Sequence, residues 1–364
     1  MAIRKRRPDE DIVEAAAAPQ KAPTSTRLSP QEVLSSGSTQ LNLACTDTPY
    51  GAFAKGLYYF FVGDSSSGKT WFCMTCFAEA VRNKGFDDYR FIYDGVEDGA
   101  LMSIERYFGA QVAERLEEPN KNGASTTIED FYFNLDDALD DGRPFIYVLD
   151  SMDALTSESE KEKLQQNKTE HREGKELTGS YGDGKAKKNS AGIRQALSRI
   201  KKTGSILLVI NQTRDNLGMG RKKKTRSGGN ALRFYAAVEI WSSVRQKLTK
   251  TYKGEKIKVG MLAALQVEKN RFTGKERRVE VPFYYSVGID DIGGCIDWLI
   301  EAKHWTLSKK SIKATGLFDT PMSRDKLIAT IEEKGMERKL QKLVGRVWKE
   351  REDAVSIKRK KRYV

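Results

Sequence analysis

Leu57-Tyr-Tyr-Phe-Phe-Val-Gly63-Asp64-Ser65-Ser66-Ser67-Gly68-Lys69-Thr70 decides how this chain folds. The run from Leu57 to Val62 is apolar and rich in aromatics, so it reads as a buried strand. Gly63 to Thr70 fits G-x-x-x-x-G-K-[ST]. The next residues, Thr70 to Lys84, keep helical spacing and reach a stop at Gly85. A strand, this loop and a helix, in that order, are the context in which the motif cradles phosphate. Its glycines let backbone N–H groups turn inward around phosphate oxygens, and the helix N-terminus adds partial positive charge. Lys69 brings a cation to the β- and γ-phosphates, and Thr70 brings a hydroxyl for Mg²⁺. Gly63, Asp64, Ser65, Ser66, Ser67, Gly68, Lys69 and Thr70 are therefore the expected nucleotide contacts.

Outward from that loop the pattern alternates. Arg90–Tyr93, Phe145–Leu149 and Ser205–Ile210 read as further strands, with a helix over Leu101–Phe108. Strands separated by helices predict an α/β fold with a mostly parallel central sheet covered on both faces. Ala236–Val244, Met261–Val267 and Val279–Tyr285 are strand-like with short turns such as Lys253-Gly254, and extend the sheet antiparallel. The last 70 or so residues read as helical, at Cys295–Ile300, Lys326–Glu333 and Lys339–Arg351. The expected division is a flexible segment 1–33, an ATPase-type and nucleic-acid-binding core 34–290, and a small helical C-terminal domain 291–364 with a basic tail. Residues 156–190 have almost no apolar side chains, and residues 212–229 are Gly-rich and basic. Both are expected to interrupt the order.

Charge narrows the partners. The 364 residues carry 63 Lys+Arg against 50 Asp+Glu, a formal net charge of +13. No apolar run reaches the roughly 18 residues of a membrane span. The basic N-terminus has no apolar stretch behind it, so it does not read as a secretory signal and a cytoplasmic chain is expected. Cys73 and Cys76 form C-x-x-C, but His171 and His304 lie far off in sequence, and structural zinc wants four ligands at local spacing. The two thiols read as the core face of a helix.

Asp150 closes an apolar strand, which is where the Mg²⁺-side carboxylate of a phosphate site belongs. Asp94 and Glu97 come after the second strand; Glu97 is the first candidate for orienting water and Asp94 the second. Arg214, Arg221, Lys222, Lys223, Lys224 and Arg226 crowd a glycine-rich stretch, and Lys185, Lys187, Lys188, Arg194, Lys201 and Lys202 form a second cluster. Mobile cationic segments suit a flexible polyanion.

With these residues in view the chain resembles the RecA recombinase family, including its phage-type members. The stretches that carry the likeness are Val209-Ile-Asn-Gln-Thr-Arg214, Gly228-Gly-Asn-Ala-Leu-Arg-Phe-Tyr-Ala-Ala-Val238, Leu34-Ser-Ser-Gly-Ser-Thr-Gln-Leu-Asn-Leu-Ala44, Leu149-Asp-Ser-Met-Asp-Ala-Leu-Thr156 and Val267-Glu-Lys-Asn-Arg271. The resemblance implies that Glu97 is the catalytic glutamate, reached with one extra residue after Asp94. It implies that Gln212 senses the γ-phosphate. Ser190, Arg194, Arg214, Gly228, Gly229 and Asn230 match positions on a single-strand backbone, and Leu217 matches a side chain that wedges between base triplets. Lys269 and Arg271 match two lysines that reach a neighbouring subunit's γ-phosphate. Arginine there keeps the charge and changes the donor geometry. Phe234 matches an interface residue, and Tyr285 one near the adenine. The other adenine contacts of the family have no clear match after Glu97.

By function, the resemblance implies a DNA-dependent ATPase that uses ATP and Mg²⁺, forms filaments on single-stranded DNA and exchanges strands with homologous duplex DNA. A single-strand-binding protein or a loader would be a further partner. Two alternatives stay open on the residues alone: a ring helicase or translocase of the same fold, and a weakly hydrolysing recombination mediator.

Overall fold

The computed structural model describes residues 28–97, 102–173, 183–215, 224–226 and 230–359. Along the chain, a short pair β1 (Val33–Leu34) and β2 (Phe53–Ala54) brackets helix α1 (Thr39–Thr46). Then come β3 (Leu57–Gly63), α2 (Lys69–Val81), β4 (Arg90–Asp94), α3 (Ile104–Phe108), α4 (Ala110–Arg115), β5 (Leu116–Glu117), α5 (Ile128–Asp140) and β6 (Phe145–Leu149). Helices α6 (Glu158–Arg172) and α7 (Asp183–Thr203) lead to β7 (Ile206–Asp215) and β8 (Lys224–Arg226). Helix α8 (Asn230–Tyr235) precedes β9 (Val238–Tyr252), β10 (Glu255–Asn270), β11 (Arg277–Tyr284) and β12 (Gly288–Ile289). The chain continues through α9 (Asp291–Glu301), the hairpin β13 (Thr306–Ser308) and β14 (Ser311–Lys313), α10 (Arg324–Glu333) and α11 (Glu337–Ala354).

One large sheet has the order β12-β11-β10-β9-β3-β7-β6-β4-β5, with β8 added to β7. Strands β3, β4, β5, β6, β7 and β9 pair parallel; β10, β11 and β12 extend the sheet antiparallel from β9. This is the expected mixed, mostly parallel sheet, except that Ala236–Val244, read as part of the antiparallel extension, joins β3 in parallel as the start of β9. Its parallel strands are buried on both faces, and their alternate side chains feed two cores. Tyr59 and Phe61, Ile146 and Val148, and Ile206 and Leu208 join Phe72, Cys73 and Phe77 of α2 on one face. Tyr58 and Phe60, Tyr147 and Leu149, and Leu207 and Val209 join Phe131 of α5 and Ile193 of α7 on the other. A third cluster joins Ile296 and Trp305 to Leu327, Leu340 and Val344. Among the described residues no helix is long and apolar enough to cross a membrane.

Cys73 and Cys76 are wholly buried on the core side of α2, and Cys76 Sγ donates to Phe72 O at 3.2 Å. Burial pushes both thiols well above their ordinary range.

Two segments depart from the sequence reading. Within 156–190, residues 158–172 and 183–190 are helical, in α6 and the start of α7. Helix α6 buries no side chain, so apolar periodicity gives no sign of it. It is set instead by a capping box, in which Ser157 caps the Glu160 N–H and Glu160 reaches back to the Ser157 N–H. Ion pairs Lys161–Glu158 (3.2 Å) and Lys185–Glu160 (3.0 Å) hold it in place. Residues 212–215 and 224–226 are likewise strand rather than open loop, Thr213 pairing with Arg226 and Asp215 with Lys224. Of the expected flexible segment 1–33, residues 1–27 fall outside the described residues, as do 174–182 and the last residues of the basic tail, while Val33 is buried and pairs with Ala54 in β1 and β2.

Candidate functional site

The loop after β3 is shaped by contacts that only its own residue types permit. A side chain at Gly63 would collide with Ser242 O of β9, so the close packing of β3 on β9 excludes one. Gly68 has φ +88° and faces Met261, whose Cε would stand 2.7 Å from an added Cβ. Ser67 Oγ donates to Asp64 O at 2.7 Å, and Ser242 Oγ donates to Ser67 O at 2.8 Å. Thr213 Oγ1 of β7 donates to Asp64 Oδ1 at 2.5 Å. The loop is thus tied to both neighbouring strands before α2 begins at Lys69.

Lys69 is buried and donates from Nζ to Gly63 O (2.9 Å) and Asp64 O (2.7 Å). Burial pulls its pKa down, while Asp150, Glu97 and Asp64 push the other way. Asp150 stands just past β6. Its Oδ2 accepts from Thr70 Oγ1 at 2.6 Å and from Tyr93 OH at 3.1 Å. Burial raises the Asp150 carboxyl above its usual range, against those two hydrogen bonds. The peptide bond between Asp150 and Ser151 is cis. Thr70 and Asp150 place a hydroxyl and a carboxylate oxygen side by side on the cavity wall, a hard-oxygen set that fits Mg²⁺.

Glu97 accepts from Ser151 Oγ at 2.5 Å and from Gln212 Nε2 at 2.9 and 3.0 Å on its two oxygens. Its own N–H donates to Asp150 O at 3.2 Å. Gln212 is anchored in turn, its backbone N–H donating to Asp153 Oδ2. Asp94, the second candidate for orienting water, does not reach the cavity. It is fully buried, with Oδ1 accepting from Ser125 N and Oδ2 accepting from Ser125 Oγ and Tyr147 OH.

One cavity of about 420 Å³ gathers these groups. Ser65, Ser66, Ser67, Gly68, Lys69, Thr70, Glu97, Asp150, Gln212 and Tyr285 all line it. Gly63 and Asp64 lie behind it and hold Lys69. Sequence reasoning missed Trp71, Met102, Ser151, Ile210, Lys258, Met261 and Phe283 as parts of the site, and these complete the lining. Trp71 and Ser151 adjoin residues already singled out. The others come from segments that only the folded sheet brings over the loop.

Lys269 and Arg271 do not line this cavity. Lys269 Nζ donates to Arg233 O (2.7 Å) and Phe234 O (2.6 Å), and an Arg271 guanidinium N–H donates to Phe234 O (2.6 Å). Two cations thus cap the C-terminal carbonyls of α8, where the helix dipole favours them. Burial and the adjoining Arg271 pull the Lys269 pKa down to about 8. Phe234 is 65% exposed beside them. On α7, Ser190 is half-buried and Arg194 exposed; Asn230 is exposed at the start of α8. Arg214 and Lys224 lie in the paired strands β7 and β8. Leu217, Arg221, Lys222, Lys223, Gly228 and Gly229 lie outside the described residues.

The family model for the RecA N-terminal domain matches residues 24–290 of this chain. The chain belongs to the RecA family. It is similar to Protein RecA of Chlorobaculum tepidum, 28% identical over 285 residues, covering 74% of this chain and 70% of that protein. It is also similar to Protein RecA of Xanthomonas axonopodis pv. citri, at 29% over 279 residues (75% and 72% covered). Protein RecA of Cytophaga hutchinsonii is 29% identical over 284 residues (74% and 68% covered). The matched span carries the whole RecA-type sheet and every residue of the cavity.

Proposed function

We propose that this RecA-family chain hydrolyses ATP in the cavity, and that the nucleotide state sets its grip on single-stranded DNA. In the same reading it polymerises into a filament and promotes homologous pairing and strand exchange with duplex DNA. The supporting observation is the link between Glu97 and Gln212. Glu97 lines the cavity, and Gln212 sits on β7, whose end runs into the basic segment 214–229. A γ-phosphate accepts from Gln212 Nε2 in place of Glu97. That exchange frees Glu97 to act as general base toward water and shifts the end of β7.

Lys69 donates to the β- and γ-oxygens, and the loop N–H groups hold the chain of phosphates. Thr70 and Asp150 would hold Mg²⁺, which when bound neutralises charge on the phosphate oxygens. Lys269 and Arg271, outside this chain's own cavity, serve the cavity of an adjoining copy. Ser190, Arg194, Arg214, Leu217, Arg221, Lys222, Lys223, Lys224, Gly228, Gly229 and Asn230 hold the strand. The core runs to residue 290, and 291–364 form the C-terminal domain.

The test is ATP turnover with and without single-stranded DNA. DNA raises turnover in this reading, Lys69→Ala abolishes it, and Glu97→Gln lowers it by about 10²–10⁴-fold while nucleotide still binds. Turnover indifferent to DNA, or surviving Glu97→Gln, overturns it.

A further inference from the structure

Successive side chains of a strand point to opposite faces. At the end of β7, Gln212 shares a face with Ile210, and both line the cavity. Thr213 shares the other face with Val209, which belongs to the opposite core. Each of the two is bonded to a different part of the site. Gln212 Nε2 donates to the Glu97 oxygens at 2.9 and 3.0 Å, and Thr213 Oγ1 donates to Asp64 Oδ1 at 2.5 Å. One strand end is thus gripped from one face by the acid beside the cavity and from the other by the phosphate loop.

The second grip responds to a different event. Asp64 O accepts from Lys69 Nζ at 2.7 Å and from Ser67 Oγ at 2.7 Å. Lys69 is also the cation that a bound phosphate draws to itself. A diphosphate that takes Lys69 removes one of the bonds holding Asp64, and no γ-phosphate is needed for this. On the far side of the link, Thr213 pairs with Arg226, Arg214 with Thr225 and Asp215 with Lys224. A change at Asp64 therefore passes through one hydrogen bond into the strand pair that carries Arg214, Lys224 and Arg226.

We infer that Thr213 is a positioning residue that reports occupation of the phosphate loop to the basic segment, separately from Gln212. Gln212 responds to the γ-phosphate. Thr213, through Asp64, responds to any nucleotide that recruits Lys69, ADP included. With the loop empty, Lys69 holds Asp64 and so steadies the end of β7; ADP loosens that hold and weakens the grip on a single strand. The inference rests on the nucleotide reading proposed above and deepens it.

The experiment is fluorescence anisotropy of a labelled oligothymidine with the full chain, measured without nucleotide, with ADP and with a non-hydrolysable ATP analogue. The unaltered protein is compared with Thr213→Val, which keeps the shape and removes the hydroxyl, with Thr213→Ser, which keeps the hydroxyl, and with Gln212→Ala. In the unaltered protein ADP weakens binding about three-fold relative to no nucleotide, a factor that one hydrogen bond can carry. Thr213→Val removes that step and keeps the tightening from ADP to the analogue, and Thr213→Ser keeps both steps. Gln212→Ala does the reverse of Thr213→Val, keeping the first step and losing the second. The inference is overturned, with the nucleotide site left standing, if ADP does not weaken binding in the unaltered protein or if that step survives Thr213→Val. It is equally overturned if Thr213→Val removes both steps, or if Thr213→Ser behaves like Thr213→Val. Calorimetric titration with ADP separates the two readings: failure of ADP to bind the unaltered protein, or binding that survives Lys69→Ala, fails the nucleotide reading itself and the inference with it.

Discussion

Two acids that look alike in the sequence have different work. Asp94 and Glu97 stand three residues apart at the end of β4, and nothing in residue type separates them. Burial does: Asp94 spends its oxygens on Ser125 and Tyr147, while Glu97 lines the cavity beside Gln212. Asp94→Asn therefore acts on stability. It puts an amide donor against a donor-rich pocket, and the chain loses about 1–3 kcal/mol, read as a lower thermal midpoint, with turnover per folded molecule kept. Lys69 is the opposite case. It is legible from the motif alone, and its Nζ already rests on Gly63 O and Asp64 O. Lys69→Met keeps the fold and lowers turnover by about 10²–10³-fold in a steady-state phosphate-release assay. Tyr285 lines the cavity. Lys258 and Met261 have no local signal, because a strand distant in sequence carries them over the loop.

At the scale of elements, legibility tracks apolar patterning. Strands β3, β6 and β7 are continuous apolar runs buried on both faces, and they are visible as such. Helix α6 has no buried face, so only its capping box marks it. The β9–β10 hairpin outruns its apolar part because its outer residues are exposed and held by each other, turning at Lys253 (φ 48°) and Gly254 (φ 87°). The joint between α1 and α9 yields a pH prediction. Asp291 Oδ1 accepts from Thr39 N at 2.6 Å, and Oδ2 accepts from Thr39 Oγ1 at 2.7 Å. Burial outweighs these bonds and raises its pKa from 3.8 to about 6. The folded chain then binds a proton more readily than the unfolded one, so this group's contribution to stability declines as pH rises from 3.8 to about 6 and is level above. Denaturant titrations should show the unaltered chain gaining stability relative to Asp291→Asn as pH falls from about 6 toward 4. A difference that does not change across pH 4–7 would place the titration elsewhere.

For the molecule as a whole, the order of motifs discloses the architecture, because a parallel sheet must place its loops at the carboxyl ends of neighbouring strands. The sheet order puts β7 directly beside β3, so the residues after β7 begin next to the phosphate loop. With a net charge of +13, general attraction to polyanions is built in, and the basic segment adds a local share. Replacing Arg221, Lys222, Lys223 and Lys224 by Ala should weaken binding to single-stranded DNA and flatten its salt dependence by about 0.7 in log–log slope for each phosphate no longer neutralised. In the proposed function, nucleotide state reaches that segment through Gln212. Fluorescence anisotropy of a labelled oligothymidine tests this most directly, measured with a non-hydrolysable ATP analogue and with ADP, in the unaltered chain and in Gln212→Ala. The analogue should tighten binding by about ten-fold or more over ADP, and Gln212→Ala should erase the difference. Equal affinity in both nucleotides, or a difference that Gln212→Ala leaves intact, would contradict it.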